Sequence, residues 1–261
     1  MKACALAACL AALGAHAADE AAPRLKMSNT LELRVAGEHL TGGEPPWREA
    51  TLLASRAFGS HLVQAELSAK NRFGEGGAYA SVLDTYRIDA DWYASAGVGA
   101  GDGAFYLPRI RVDALLYRKL GAERQWVLFT GPGYVRSPDG HTDHAWSLGA
   151  LYYFASPWAV QGTVRFNESD PGDVRTRQYE LATTHGAGSA DEVTARVAWG
   201  REGYQAIGAG TTIVDFPSRE AALLWRHRLD ARNGVSVSLD HYRNPYYERT
   251  GGAIGWFTAW P

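Results

Sequence analysis

Apolar and polar residues alternate with period two along most of this chain, the pattern of a strand with one apolar face. Leu31-Glu32-Leu33-Arg34-Val35-Ala36 shows it first, and Val63 to Lys70 repeats it. Arg109 to Ala114, Trp158 to Phe166, Val193 to Val197 and Val235 to Asp240 do the same. Weaker candidates lie near 47–58, 78–88, 92–100, 124–135, 144–154, 176–185, 218–230 and 251–260, which brings the expected total to 14. Short connections are expected at Gly59-Ser60, Asp89 to Asp91, Gly121 to Glu123, Ser156-Pro157 and Ala231 to Gly234. The last contains Asn233-Gly234, a pair suited to a type I′ hairpin. Longer ones, rich in Gly, Pro and Asp, are expected at Thr41 to Pro46, Asn71 to Gly77, Ser137 to Asp143, Asn167 to Val174 and Arg201 to Pro217. Short and long connections in alternation describe an up-and-down meander, with short turns at one end and long loops at the other.

The two faces of these strands differ in kind. One is apolar; the other carries Glu32, Arg34, Glu49, Glu66, Lys70, Arg109, Arg111, Asp113, Arg165, Glu180, Arg196, Glu220, Arg226, Arg228 and Asp240. Alternation alone fits a soluble sandwich as well as a membrane barrel, and three details favour the barrel. Many apolar-face positions are small, such as Ala50, Ala65, Ala96 and Gly162, which lipid tolerates and a close-packed core does not. Aromatic residues sit at strand ends: Trp47, Phe58, Trp92, Phe154, Trp158 and Phe166. Trp158 and Phe166 are eight residues apart on one face, a depth of about 20 Å at ~3.3 Å per residue and ~40° tilt, near the height of a girdled apolar band. Third, the chain ends in a strand-like aromatic run, Ile254 to Trp260. The expected fold is therefore all-β: a single antiparallel up-and-down transmembrane β-barrel of 12 to 16 strands, 14 as the central value, over residues 29–261. These charged residues then line its lumen.

Composition narrows the class. The 261 residues are 46% hydrophobic and 11% aromatic, which excludes a disordered chain. Beyond the first twenty residues no stretch approaches the ~18 apolar residues of a spanning helix. Met1-Lys2, an Ala-rich run and Ala15-His16-Ala17 form a secretory signal peptide, expected to span 1–17. Residues 18–28 then make a short periplasmic segment. Loss of Lys2 leaves 25 basic against 28 acidic residues, a net −3, with no basic face for nucleic acid. Both cysteines, Cys4 and Cys9, fall in the leader, so the exported chain relies on packing and backbone pairing rather than disulfides.

Pro46-Trp47-Arg48-Glu49, Asn71-Arg72-Phe73-Gly74 and Tyr79 resemble the YaiO-type outer-membrane β-barrel family. Leu107-Pro108-Arg109-Ile110-Arg111, Leu115-Leu116-Tyr117 and Gln125-Trp126 are similar to its central region. The resemblance implies outer-membrane residence, a single barrel, partners in outer-membrane lipid and the barrel assembly machinery, and a part in polysaccharide export. Two departures stand out. Ala259-Trp260-Pro261 replaces the family's usual final Arg-Phe, and the helical-repeat segment of some larger relatives has no counterpart.

Enzymatic chemistry finds little support. His141-Thr142-Asp143-His144-Ala145-Trp146-Ser147 offers a Ser, His and Asp, but an extended chain points His144 and Ser147 to opposite faces, and no G-x-S-x-G elbow occurs. Neither the histidines here nor acidic Asn167 to Asp173 has the ligand spacing of a metal site. Gly97 to Gly103 lacks the helix that a dinucleotide loop requires. No catalytic residue, metal or cofactor is expected. The lumen charges number eight basic and seven acidic, too balanced for a strongly ion-selective pore. The expected function is porin-like passage of a neutral or weakly charged polysaccharide, with Trp47, Tyr134, Tyr204, Tyr246 and Tyr247 near the outer loops as sugar-stacking candidates. A plugged barrel with partner-binding loops is the alternative, and a lipid hydrolase a distant third.

Overall fold

The computed structural model describes residues 29–208 and 210–260; the expected leader and the 18–28 segment lie outside them. Fourteen strands follow one another without a helix. They are β1 (Asn29–Leu40), β2 (Trp47–Phe58), β3 (His61–Arg72), β4 (Glu75–Arg87), β5 (Trp92–Gly101), β6 (Ile110–Leu120) and β7 (Trp126–Arg136). Then come β8 (Thr142–Tyr153), β9 (Trp158–Asp170), β10 (Val174–His185), β11 (Asp191–Gly208), β12 (Thr211–Arg228), β13 (Asn233–Arg243) and β14 (Glu248–Trp260). Each pairs antiparallel with its neighbours in sequence, and β1 closes on β14 from Asn29↔Trp260 to Leu40↔Arg249. Closure leaves no edge strand, the condition a lipid-spanning sheet must meet. At ~4.8 Å between strands and ~40° tilt, fourteen strands enclose a backbone radius of about 14 Å.

The apolar face points outward. Ile254, Leu239 and Leu67 are 64%, 60% and 58% exposed, and they belong to a continuous belt with Leu33, Val35, Val98 and Leu148. Aromatic residues bound this belt at two levels. Phe58, Trp126, Phe154, Trp158 and Trp225 lie toward the end where β1 starts and β14 ends, the terminal end, and Trp146, Phe166 and Trp199 toward the opposite, far end. Trp47 departs from this pattern. It is 3% exposed and turned inward, packed with Leu40, Tyr242 and Tyr247 inside the far mouth. Its partner in register is Glu38, on the inward face of β1.

The connections correct the expected alternation of long and short. Arg201 to Pro217 is not a loop: β11 and β12, 18 residues each, continue pairing as far as Gly208↔Thr211. Asn71 to Gly77 shrinks to the turn at Phe73-Gly74, both in the left-handed region. The far connection of most residues is instead 102–109, between β5 and β6. Polar Gly-rich sequence does not exclude a strand where a neighbouring ladder can extend. Asn233-Gly234 likewise forms no I′ turn and lies within β13. The turn is made by Asp230, whose Oδ1 accepts from the amides of Arg232 (2.7 Å) and Asn233 (2.8 Å). Asp89 does the same for Asp91 and Trp92 at the β4–β5 turn. The two turns share the sequence Arg-Ile/Leu-Asp-Ala, at Arg87 to Ala90 and Arg228 to Ala231. Gly234 serves packing, since the ring of Phe257 occupies the space a side chain would fill.

Candidate functional site: the polar lumen and its far mouth

Inward side chains alternate with the exposed apolar ones, and their charges gather into five networks. Glu32 takes Arg34 (2.9 Å) and Arg226 (2.7 Å). Lys70 joins Glu49 (3.1 Å) to Glu66 (3.5 Å), and Arg72 adds to Glu49 (3.2 Å). Asp113 binds Arg111 (2.5 Å) and Arg165 (3.6 Å). Arg196 lies between Glu180 (3.1 Å) and Glu220. Near the far end, Arg249 lies 3.4 Å from both Glu38 and Asp240.

Two of these networks cross strands that do not touch. Arg226 on β12 meets Glu32 on β1 over β13 and β14, and Arg165 on β9 meets Asp113 on β6 over β7 and β8. A glycine underlies each crossing. A Cβ on Gly133 would come 2.8 Å from Asp113 Oδ1, and one on Gly255 would come 3.0 Å from Glu32 Oε1. Such low points in the wall allow a charged chord to pass above the sheet.

Thirteen of the fifteen expected lumen charges take part in these networks: Glu32, Arg34, Glu49, Glu66, Lys70, Arg111, Asp113, Arg165, Glu180, Arg196, Glu220, Arg226 and Asp240. Arg109 does not line the lumen wall; it is exposed and precedes β6, its backbone amide capping Arg136 O. Arg228 is half-buried at the end of β12 and has no ion pair among the described residues. Three members escaped the sequence reading: Glu38, Arg72 and Arg249. Glu38 and Arg72 continue the alternation of Glu32-Arg34 and Glu66-Lys70, and that parity was the available signal.

The far mouth carries an aromatic lining and the extended end of a hairpin. Two guanidinium groups approach the ring of Trp47, Arg72 at 4.6 Å and Arg249 at 5.2 Å. Phe73 and Tyr247 pack against the same indole. Burial pushes the phenols of Tyr106 and Tyr247 up to about 12, so both stay neutral, and Tyr106 Oη donates to Lys70 O at 2.8 Å. The extended part of the β11–β12 hairpin ties into its surroundings. Tyr204 stacks on His141 and donates to Pro171 O; Gln205 donates to Tyr247 Oη at 2.5 Å; Tyr242 Oη donates to Glu202 at 3.0 Å. Of the sugar-stacking candidates, Trp47 and Tyr247 are therefore buried in packing, Tyr134 and Tyr204 are half-buried, and Tyr246 is exposed.

At the terminal end of β5–β9 the inward face turns apolar, where Tyr93, Tyr117, Val127, Phe129 and Leu151 pack together, the rings of Tyr93 and Tyr117 stacked at 4.4 Å. The histidine-rich segment comes apart as its alternation dictates. His144 faces outward beside Tyr134, whereas Ser147 faces inward and accepts from Arg165 at 3.5 Å. Asp143 accepts from Ser169 and Asn167, which removes both from the expected loop. Among the described residues no group of three or more potential ligands gathers at a metal site.

The family model described as the YaiO membrane beta barrel domain matches residues 28–205. No curated protein matches the chain. Among solved structures, it is similar to a bacterial polysaccharide outer membrane secretin (TM-score 0.57, 10% identity, 90% of this chain and 100% of that one). It is also similar to the CymD monoaromatic hydrocarbon channel (0.57, 8%, 89% and 88%) and to an anion-selective porin from Comamonas acidovorans (0.51, 11%, 89% and 99%). At these identities the likeness is one of fold.

Proposed function

Because this chain belongs to the YaiO membrane β-barrel family, we propose that its lumen is a conduit for a neutral or weakly charged polysaccharide crossing the outer membrane. The chain is an outer-membrane β-barrel whose structural neighbours are porins and channels. The observation that carries the finer reading is the charge balance of the lumen. The five networks hold eight basic residues, Arg34, Lys70, Arg72, Arg111, Arg165, Arg196, Arg226 and Arg249. Against them stand eight acidic ones, Glu32, Glu38, Glu49, Glu66, Asp113, Glu180, Glu220 and Asp240. A wall that is polar but neutral in sum offers hydrogen bonds to hydroxyl groups and no strong attraction to an ion of either sign. The fold shared with a polysaccharide secretin supports the same substrate class.

Planar-bilayer recordings test the proposal. The expected result is a weakly selective conductance that neutral oligosaccharides block in a concentration-dependent way. A barrel that conducts ions with no block by any oligosaccharide refutes the polysaccharide, and one that never conducts refutes the conduit.

A further inference from the structure

Above the apolar belt the outward faces of β12 and β13 each present an arginine. Arg219 and Arg243 are register partners there, and both are exposed. The same register row continues through Trp199 on β11 to Tyr179 on β10, whose rings stack at 5.8 Å. Four residues nearer the membrane centre, on the same strands, stand Leu223 and Leu239, both in the lipid-facing belt. At ~3.3 Å per residue and ~40° tilt, the two arginines sit about 10 Å above them, at headgroup level.

Two like charges directly opposite on a sheet repel each other. Here they are incompletely compensated: Arg243 Nε meets Glu248 at 3.1 Å, while Arg219 has no acidic partner among the described residues. One pleat lower, Thr250 lies between His241 and His39 in register, all three exposed, and His241 Nδ1 is 2.8 Å from Thr250 Oγ1. This row is polar at a depth where a glycerophospholipid presents esters and acyl chains. A phosphorylated disaccharide lipid presents amide and hydroxyl groups there instead.

We propose that Arg219 and Arg243 form a docking site for the phosphate of an outer-leaflet phosphoglycolipid of the lipid A type, with its sugar over His241 and Thr250 and its acyl chains along Leu223 and Leu239. Planar guanidinium forks suit phosphate oxygens, and a shared anion turns their mutual repulsion into attraction. The far end faces the outer leaflet because β1 starts and β14 ends at the opposite end, the periplasmic one in barrels of this kind. The site is independent of what crosses the lumen.

The test is native mass spectrometry of the folded, full-length exported barrel in detergent micelles, titrated in turn with bis-phosphorylated lipid A, dephosphorylated lipid A and phosphatidylglycerol. Wild type is expected to retain bis-phosphorylated lipid A in preference to the other two. R219Q/R243Q is expected to bind it at least tenfold more weakly, and R219K/R243K to fall between. Equal binding by R219Q/R243Q overturns the site. Phosphatidylglycerol bound as tightly as lipid A overturns the glycolipid assignment. Heat-shifted mobility on SDS gels verifies folding; should the double variant fail that check, R219Q alone is read by the same two criteria.

Discussion

Arg226 and Glu32 lie on strands separated by two others, yet their side chains meet at 2.7 Å. Arg226 crosses the ring of Phe257 at 4.4 Å to get there, and Ser236 donates to the same carboxylate at 2.7 Å. Gly255 supplies the clearance, since a Cβ there would stand 2.5 Å from Ser236 Oγ. Gly255→Val is therefore expected to displace the carboxylate and lower the temperature at which the SDS-resistant band is lost. Glu32→Gln should cost about 2–3 kcal/mol, because it strands two guanidinium groups, and Arg226→Gln less, because Arg34 still neutralises Glu32. Equal effects of the two substitutions would argue against Glu32 as the shared hub.

Lumen charge can be shifted in either direction at the other chord. Arg111, Asp113 and Arg165 sum to one positive charge. Asp113→Asn raises that sum and should move the reversal potential under a salt gradient toward anion preference. Arg165→Gln should move it toward cations, and the double variant should restore the wild-type value.

Replacing residues 204–214 by a two-residue turn removes the hairpin segment that holds His141, Pro171 and Tyr247. Single-channel conductance should rise while the heat-shifted gel mobility persists, because the remaining β11–β12 ladder still spans the membrane. An unchanged conductance would show that the segment does not narrow the mouth.

Trp47→Ala should destabilise the barrel by about 3 kcal/mol, combining a large buried void with the loss of the ring that both Arg72 and Arg249 approach. Trp47→Phe keeps an aromatic face and should recover part of that loss. Thermal unfolding in detergent, followed by tryptophan-independent far-UV circular dichroism, separates the two.

Hydrogen bonds from Asn233 and from the amides of Arg232 and Asn233 hold the Asp230 carboxyl below the ordinary aspartate range. A lowered native value places the stabilisation above the unfolded-state value, and it is lost as pH falls through the native one. Protection of the Arg232 and Asn233 amides from hydrogen exchange should thus be complete at neutral pH. Asp230→Ala should reduce it there, whereas a variant at Asp170, outside this turn, should not.

Much of the strand framework was legible because its signal is local. Trp47 to Phe58 and the turn at Gly59-Ser60 are read directly from alternation and a turn residue. Where the reading failed, a non-local partner was responsible. Arg201 to Pro217 has loop composition but forms strand, since each half supplies the other's ladder. Asn233-Gly234 has hairpin composition but lies in a strand, since Asp230 closes the turn earlier and Phe257 needs the space above Gly234. Trp47 has girdle character but turns inward, because its parity on β2 is that of Glu49.

Sequence by itself determined that this chain is a run of strands with one apolar and one charged face, because side-chain direction in a strand depends only on odd or even position; small residues on the apolar face and aromatic strand ends then pointed that face outward. It also determined that interior charges of the two signs are nearly equal. Only the tertiary structure decided which of those charges meet. A pair such as Arg226 and Glu32 depends on register accumulated around fourteen strands and on a glycine, Gly255, that leaves the wall low, and neither is written in any local stretch of the chain.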